Sequence, residues 1–246
     1  TNLTGAPLVH ALTVAEPALV VVGTELEAAY ATARENLSPE PPVWTLGGRG
    51  VAGKLDAALS AASSDRPPRD WRAGVKTRDK LFYIYTSGTT GNPKAANFSH
   101  LRFLSVGGAY TELAAVRPED RVYCVLPLYH TAGGVIAVSM ALLNGATLVL
   151  RRKFSASEFW SDCRAHGVTI FQYIGELCRY LLNRPEGPED RAHVVRCAVG
   201  NGLRPDIWAK FQDRFNIRDV REFYGATEGN FALINLDNKV GAVGRV

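Results

Sequence analysis

From residue 81 onward, short runs of β-branched, aromatic and aliphatic residues alternate with stretches of helical spacing, and this alternation constrains the chain more than any other feature. It is the sequence sign of βα units, whose strands pack side by side in parallel under a cover of helices. Extended runs are expected at 81–85, 122–126, 146–150, 168–173, 194–199 and 220–223, with tight connections that favour right-handed crossovers. Upstream, the spacing predicts a helix over 8–14, strands over 19–22 and 43–46, and a short helix over 55–62. Residues 63–80 turn polar around Pro67-Pro68. The expected fold class is α/β, mostly parallel sheets flanked by helices. A flanking subregion (1–64), a connection (65–80) and a core (81–246) are its expected divisions.

Composition narrows the possibilities by exclusion. With 46% hydrophobic and 21% charged residues, disordered, collagen-like and coiled-coil chains are excluded. The 28 basic and 24 acidic side chains are scattered, so nothing here speaks for a nucleic-acid partner. The one basic run, Arg151-Arg152-Lys153, is expected on a solvated loop after a strand, with anionic groups as a second reading. Cys124, Cys163, Cys178 and Cys197 lie far apart among apolar neighbours and read as buried free thiols of a reducing, cytoplasmic compartment. The uncharged stretch 122–150 is broken at Pro127, Gly133-Gly134 and Asn144-Gly145, leaving about ten apolar residues, roughly half a bilayer span. A strand, a buried helix and a second strand are expected there. No export signal is present. The chain opens at Thr1 with its only methionine at position 140, so a natural start upstream is expected, and its end at Val246 is expected to fall within a domain.

In open parallel sheets, ligands sit beyond the carboxyl ends of the strands. The apolar run 81–85 ends abruptly in Thr86-Ser87-Gly88-Thr89-Thr90-Gly91-Asn92-Pro93-Lys94. Its glycines let backbone approach an anion, the hydroxyls of Thr86, Ser87, Thr89 and Thr90 can donate to phosphate oxygens, and Lys94 adds a point charge. A Walker A loop is excluded because Pro93 stands where that pattern needs glycine. A plain Gly/Thr-rich turn is the competing reading. Ser99 is expected to cap a helix reaching about Ala115.

The string from Tyr85 to Lys94, Tyr-Thr-Ser-Gly-Thr-Thr-Gly-x-Pro-Lys, resembles the phosphate-binding signature of the adenylate-forming (AMP-binding) superfamily, which includes acyl-CoA synthetases, luciferases and peptide-synthetase adenylation domains. Tyr224-Gly225-Ala226-Thr227-Glu228 resembles the second nucleotide motif, and Pro127-Leu128-Tyr129-His130 stands where the superfamily places an aromatic or histidine residue beside the bound carboxylate. The strings 173–183 and Gly200-Asn201-Gly202-Leu203-Arg204, with Ile207-Trp208 and Glu222-Phe223, look like the fatty acid transport protein and very-long-chain acyl-CoA synthetase branch. Gly175-Glu176 departs from the Pro-Thr common in the wider superfamily. The helix after Ile174 reads first as structural support, with an apolar stripe of Leu177, Tyr180 and Leu181 and a Glu176–Arg179 pair. Lining of an acyl tunnel is its second reading.

The resemblance implies part of the N-terminal domain of a fatty acid CoA ligase, with the core 81–246 as its nucleotide-binding part. Such a ligase uses ATP and Mg²⁺, takes CoA as co-substrate, and activates a long-chain acid to an acyl-adenylate before thioester formation. Residues 86–94 would hold the β- and γ-phosphates, and Glu228 with Thr86 would hold Mg²⁺. Thr227 would contact the α-phosphate, Tyr224 would stack on adenine, and Gly200, Asn201 and Gly202 would offer backbone to the base. His130 would bond the acyl carboxylate, so that His130, Lys94 and Glu228 form the catalytic set, with Gly225 and Ala226 completing the nucleotide motif. The family's ribose-binding aspartate and C-terminal lysine are not found in the sequence, and the chain alone is expected to show little turnover. Coupling to fatty acid uptake and peripheral attachment to the inner face of a membrane are further expectations. The rival readings are a ligase for a bile acid, sterol side chain or carnitine, a fatty acid carrier without synthetase activity, and a nucleotide-binding module without catalysis.

Overall fold

The computed structural model describes residues 3–47, 53–86, 92–229 and 231–244. They form two compact units, Thr1–Asn97 and Phe98–Val246, so the division falls later in the chain than the polar connection. In the first unit, α1 (Gly5–Ala15), β1 (Val20–Gly23), β2 (Val43–Leu46) and α3 (Lys54–Ala61) follow the expected order, with a further helix, α2 (Glu27–Arg34), between the two strands where none is expected. β1 and β2 pair in parallel, with Val20 opposite Val43. β3 (Lys80–Thr86) and β4 (Lys94–Ser99) form a separate two-stranded sheet. The Tyr85 hydroxyl donates to the Ala11 carbonyl, and the His10 ring bonds the Pro93 carbonyl at 3.0 Å. His10 thus fixes the far end of the Gly/Thr-rich segment to α1.

The second unit is built on one six-stranded sheet. α4 (His100–Ala114) begins at Ser99, whose side chain accepts from the Arg102 N–H at 3.2 Å, as its sequence position predicts. β5 (Arg121–Cys124), a π-helical segment (Thr131–Ala137), α5 (Val138–Asn144), β6 (Thr147–Leu150) and α6 (Phe159–Ala165) follow. Then come β7 (Ile170–Ile174), α7 (Gly175–Leu182), β8 (Cys197–Asn201), α8 (Pro205–Phe215), β9 (Asp219–Gly225) and β10 (Ala232–Ile234). The strand order is β10-β9-β8-β7-β5-β6, with every pair parallel except β9–β10.

Alternation along each strand divides the core between the two faces. Tyr123, Phe171, Tyr173 and Ala198 pack with Phe159 and Trp160 of α6, Leu177 and Leu181 of α7, and Trp208, Phe211 and Phe215 of α8. Val122, Cys124, Ile170, Cys197 and Val199 pack on the other face with Tyr110 and Leu113 of α4, Ile136, and Met140 of α5. All four cysteines are buried free thiols, and burial pushes the Cys197 thiol up to about 12. Asp120 braces the bottom of the sheet, accepting from Arg196 Nη2 at 2.5 Å, the Thr169 hydroxyl at 2.7 Å and the Arg117 N–H at 2.8 Å. Burial acts to raise this carboxyl, yet those donors together hold it below its ordinary value.

Several elements differ from expectation. The Gly133-Gly134 pair, read as a break, lies inside the π-helical segment, while β4 and β10 were not anticipated. The strand expected at 194–199 begins only at Cys197, because Val194 is largely exposed. Arg151 of the basic run is not free in solvent; it pairs with Asp162 of α6. Among the described residues no helix is long and apolar enough to cross a membrane.

Candidate active site

The order of the strands predicts where a ligand can enter. From β5 the chain first moves outward to β6, then returns to the other side of β5 to lay down β7, β8 and β9. The connections leaving the neighbouring strands β5 and β7 run in opposite directions, to β6 and to β8, and so open a crevice beyond their carboxyl ends. The segment leaving β5 carries Tyr129 and His130, and the π-helical segment starts directly afterwards. The His130 Nδ1 faces the Ala132 N–H at 3.4 Å, while its carbonyl accepts from Gly134 N at 2.8 Å. Gly134 is required here, since a Cβ on it would lie 1.9 Å from the Leu128 carbonyl oxygen. Tyr129 and His130 are both exposed.

Leaving β7, α7 begins at Gly175, where a Cβ would stand 1.7 Å from the Gly202 carbonyl oxygen. The absence of a side chain allows α7 to press against the Gly200-Asn201-Gly202-Leu203 turn that leaves β8. Glu222 of β9 holds that turn from beneath. It is buried and accepts from the Tyr173 hydroxyl (2.7 Å), Leu203 N (2.9 Å) and Gly202 N (3.0 Å). Burial raises its carboxyl above the ordinary value, against the pull of these three donors. Glu222 was legible only as an upstream extension of the second motif, and its role as the anchor of the Gly200–Leu203 turn comes from the fold.

After β9, Thr227 and Glu228 stand in the turn to β10, which the Gly229 N–H closes on the Ala226 carbonyl at 2.9 Å. The Thr227 and Thr131 hydroxyls bond at 2.9 Å, joining the second motif to the histidine segment. A cavity of about 570 Å³ opens between α4, the π-helical segment and the β9–β10 turn, within the ~300–1,000 Å³ range of small-molecule sites. His130, Asn201, Gly225, Ala226 and Thr227 all line it, together with Arg102 and Thr131, which the sequence did not single out. Its remaining walls are mainly apolar, among them Val106, Tyr110, Ile136, Phe223, Phe231 and Ile234. Tyr224 is exposed on β9, where its ring is open to a flat partner. Of the apolar stripe on α7, Leu177 and Leu181 are buried in the core while Tyr180 is exposed, and Glu176 pairs with Arg179 at 2.9 Å.

The ends of the hydroxyl-rich segment are in place, with Thr86 half-buried at the end of β3 and Lys94 exposed at the start of β4. Ser87, Gly88, Thr89, Thr90 and Gly91 lie outside the described residues. Among the described residues no three His, Cys, Asp or Glu side chains converge as metal ligands. A Mg²⁺ ion still fits the donor set at the β9–β10 turn. Magnesium is a hard ion that binds through one or two carboxylates, completes its shell with water and substrate phosphates, and needs no cage of protein ligands.

Comparison with known proteins defines the class. The model of the AMP-binding enzyme family matches residues 1–246, and the chain belongs to that family. The curated relatives it resembles include long-chain fatty acid transport proteins. It is 44% identical over 254 residues to long-chain fatty acid transport protein 5 of Mus musculus, covering 98% of this chain and 35% of that protein. It is also 44% identical over 256 residues to long-chain fatty acid transport protein 3 of Homo sapiens, covering 100% and 36%. Among solved structures, ATP-bound MatB from Rhodopseudomonas palustris superposes with a TM-score of 0.81 at 26% identity, over 96% of this chain and 46% of that one. The inhibitor-bound N-terminal domain of FACL13 from Mycobacterium tuberculosis gives 0.83 at 25%, over 100% and 61%. The chain spans about a third of the length of the curated relatives it matches.

Proposed function

We propose that this chain carries the nucleotide- and acyl-binding core of a long-chain fatty acid CoA ligase. The observation that carries the reading is the single cavity that gathers His130, Asn201, Thr131 and Thr227 against mainly apolar walls. A fatty acid needs both halves of that description, donors for its carboxylate and a dry wall for its chain. The apolar lining favours a hydrocarbon acid over carnitine, whose body is a quaternary ammonium.

A carboxylate is a poor electrophile, so a better leaving group must be placed on its carbonyl carbon before a thiol can attack. A carboxylate oxygen bonds to the α-phosphorus of ATP, and the bond to pyrophosphate breaks. The CoA thiol then displaces AMP from the acyl carbon, losing its proton as the thioester forms. In this scheme His130 orients the carboxylate, Thr227 contacts the α-phosphate, and Tyr224 stacks on adenine beside the backbone of Gly200, Asn201 and Gly202. Thr86, Lys94 and the segment between them contact the terminal phosphates. Glu228 would offer a carboxylate oxygen to Mg²⁺, which would neutralise phosphate charge when bound. The protein's share of the first step is therefore alignment and charge placement.

Pyrophosphate release by the full-length protein, with Mg·ATP and a panel of oleate, a bile acid and carnitine, tests this. Release with oleate and its loss in Glu228→Gln are expected. Turnover of the other acids but not oleate would refute the substrate assignment, and the absence of release with any of the acids would refute the ligase reading in favour of a carrier.

A further inference from the structure

Arg102 occupies the first turn of α4, its backbone N–H bonded to the Ser99 cap. Its guanidinium carbon lies 4.7 Å from the centre of the Phe98 ring, a stacking that restricts where the planar fork can point. From that seat Nη2 donates to the Thr227 carbonyl at 2.5 Å and to the Gly229 carbonyl. These two carbonyls flank Glu228. They also lie outside the β9–β10 ladder, whose pairing runs from Gly225–Ala232 to Phe223–Ile234, so strand pairing does not fix them. On its other side, Thr227 is held through its hydroxyl by Thr131. The turn between the second motif's threonine and glycine is therefore gripped by α4 through its backbone and by the π-helical segment through a side chain.

We propose that Arg102 is a positioning residue, whose guanidinium fixes the Thr227–Gly229 backbone and so aims the Thr227 hydroxyl and the Glu228 carboxylate. Its consequence for catalysis rests on the ligase reading, while its consequence for the turn does not. Both bonds come from the one nitrogen, Nη2, so what lysine lacks is the planar group that Phe98 stacks and preorganises; an ammonium on a flexible stem would hold the two carbonyls less firmly. A misplacement of about 1 Å in an aligned site can cost about 100-fold in rate.

The test uses Arg102→Met and Arg102→Lys in the full-length protein, with hydrogen exchange of the ligand-free protein read alongside pyrophosphate release. Exchange in the peptide spanning residues 226–231 should quicken about 10-fold or more in Arg102→Met, with peptides over β5, β7 and β8 unchanged. The kcat for pyrophosphate release should fall about 10- to 100-fold while KM for oleate stays within about 2-fold, and Arg102→Lys should recover only part of the loss. Unchanged exchange in that peptide would overturn the proposal, as would full rescue by lysine. So would a loss confined to KM for oleate, which would make Arg102 a direct carboxylate contact. Global quickening of exchange in Arg102→Met, if Arg102→Lys behaved as wild type, would also overturn it, as a general structural role. If the wild type releases no pyrophosphate, the ligase reading fails and the exchange result alone decides the role of Arg102.

Discussion

Replacing Glu222 separates the two things its carboxylate does, satisfying donors and bearing a buried charge. Three donors meet its two oxygens: Tyr173 OH and Leu203 N on Oε1, and Gly202 N on Oε2. In Glu222→Gln the amide oxygen keeps the first two, and the amide nitrogen is left facing the Gly202 N–H, donor against donor. An unmatched buried donor costs about 1–3 kcal/mol. Gly202 is exposed, so water can take up its N–H, and relief of the buried charge offsets part of the rest; about 1 kcal/mol net is expected. In Glu222→Leu the Tyr173 hydroxyl and the buried Leu203 N–H are both stranded, which at the same rate amounts to about 2–6 kcal/mol. At about 2–4 °C per kcal/mol for a domain of this size, thermal unfolding followed by circular dichroism should place the glutamine variant about 2–4 °C below wild type. The leucine variant should lie at least twice as far below. Calorimetric titration with Mg·ATP should show weaker binding in both, since the Gly200–Leu203 turn moves. Equal melting of wild type, glutamine and leucine variants would refute the argument that Glu222 anchors this turn.

Two further outcomes follow from neighbouring contacts. Asp120→Asn should destabilise by about 2–3 kcal/mol, less than the ~3–5 kcal/mol of a fully buried broken pair, because the Arg196 side chain is 33% exposed and keeps the Ala114 and Ala115 carbonyls. Since the Asp120 carboxyl is held below its ordinary value, its contribution is present at neutral pH and lost as pH falls through the folded-state value, below about 4. Acid unfolding curves should therefore show a smaller loss of stability in that window for Asp120→Asn than for wild type. Gly175→Ala would place its Cβ 1.7 Å from the Gly202 carbonyl oxygen, backbone against which nothing flexible can yield. A penalty at or above the ~1–3 kcal/mol of overpacking is expected in thermal melts, together with weakened Mg·ATP binding; wild-type behaviour in both would refute the close approach.

What the sequence made legible and what it did not divide along one physical line. Strands buried on both faces, such as residues 122–125, announce themselves through unbroken apolar runs, because Tyr123 and Val125 pack on one face and Val122 and Cys124 on the other. The Ser99 cap and the Glu176–Arg179 pair are local and were likewise readable. β4, with Lys-Ala-Ala-Asn-Phe-Ser, has little intrinsic preference for extension and is a strand through its pairing with β3. β10 is three residues long and exists through β9. Gly133 and Gly134 read locally as breakers. Their lack of side chains instead lets the wide π-helical segment press on the Leu126, Pro127 and Leu128 carbonyls. Arg102 gave no signal because an arginine in the first turn of a helix is ordinary; its significance comes from residues 125 and 127 positions away.

The same distinction explains why motifs scattered over nearly a hundred residues meet in one cavity. Parallel strands present all their carboxyl ends at one edge, so the loops after β5, β8 and β9 are neighbours whatever their separation in the chain. Strand order then decides which loops can share a ligand. Because β7 returns beside β5, the His130 segment stands next to the crevice and the Thr131–Thr227 bond can form across it. Had the chain continued outward from β6, β5 would be an edge strand with β6, β7 and β8 between it and β9, and no crevice would open beside the histidine segment. The π-helical segment supplies the remaining requirement. It starts immediately after His130 and places the buried Ile136 on the cavity wall, so one element both carries the polar contact and shapes the apolar wall. A substitution that restored regular α-helical geometry there would rotate residues beyond the extra turn by about 100° per residue gained or lost. His130 would keep its place while Ile136 left the wall. The acyl contact should accordingly be more sensitive than the carboxylate contact to changes within 133–136.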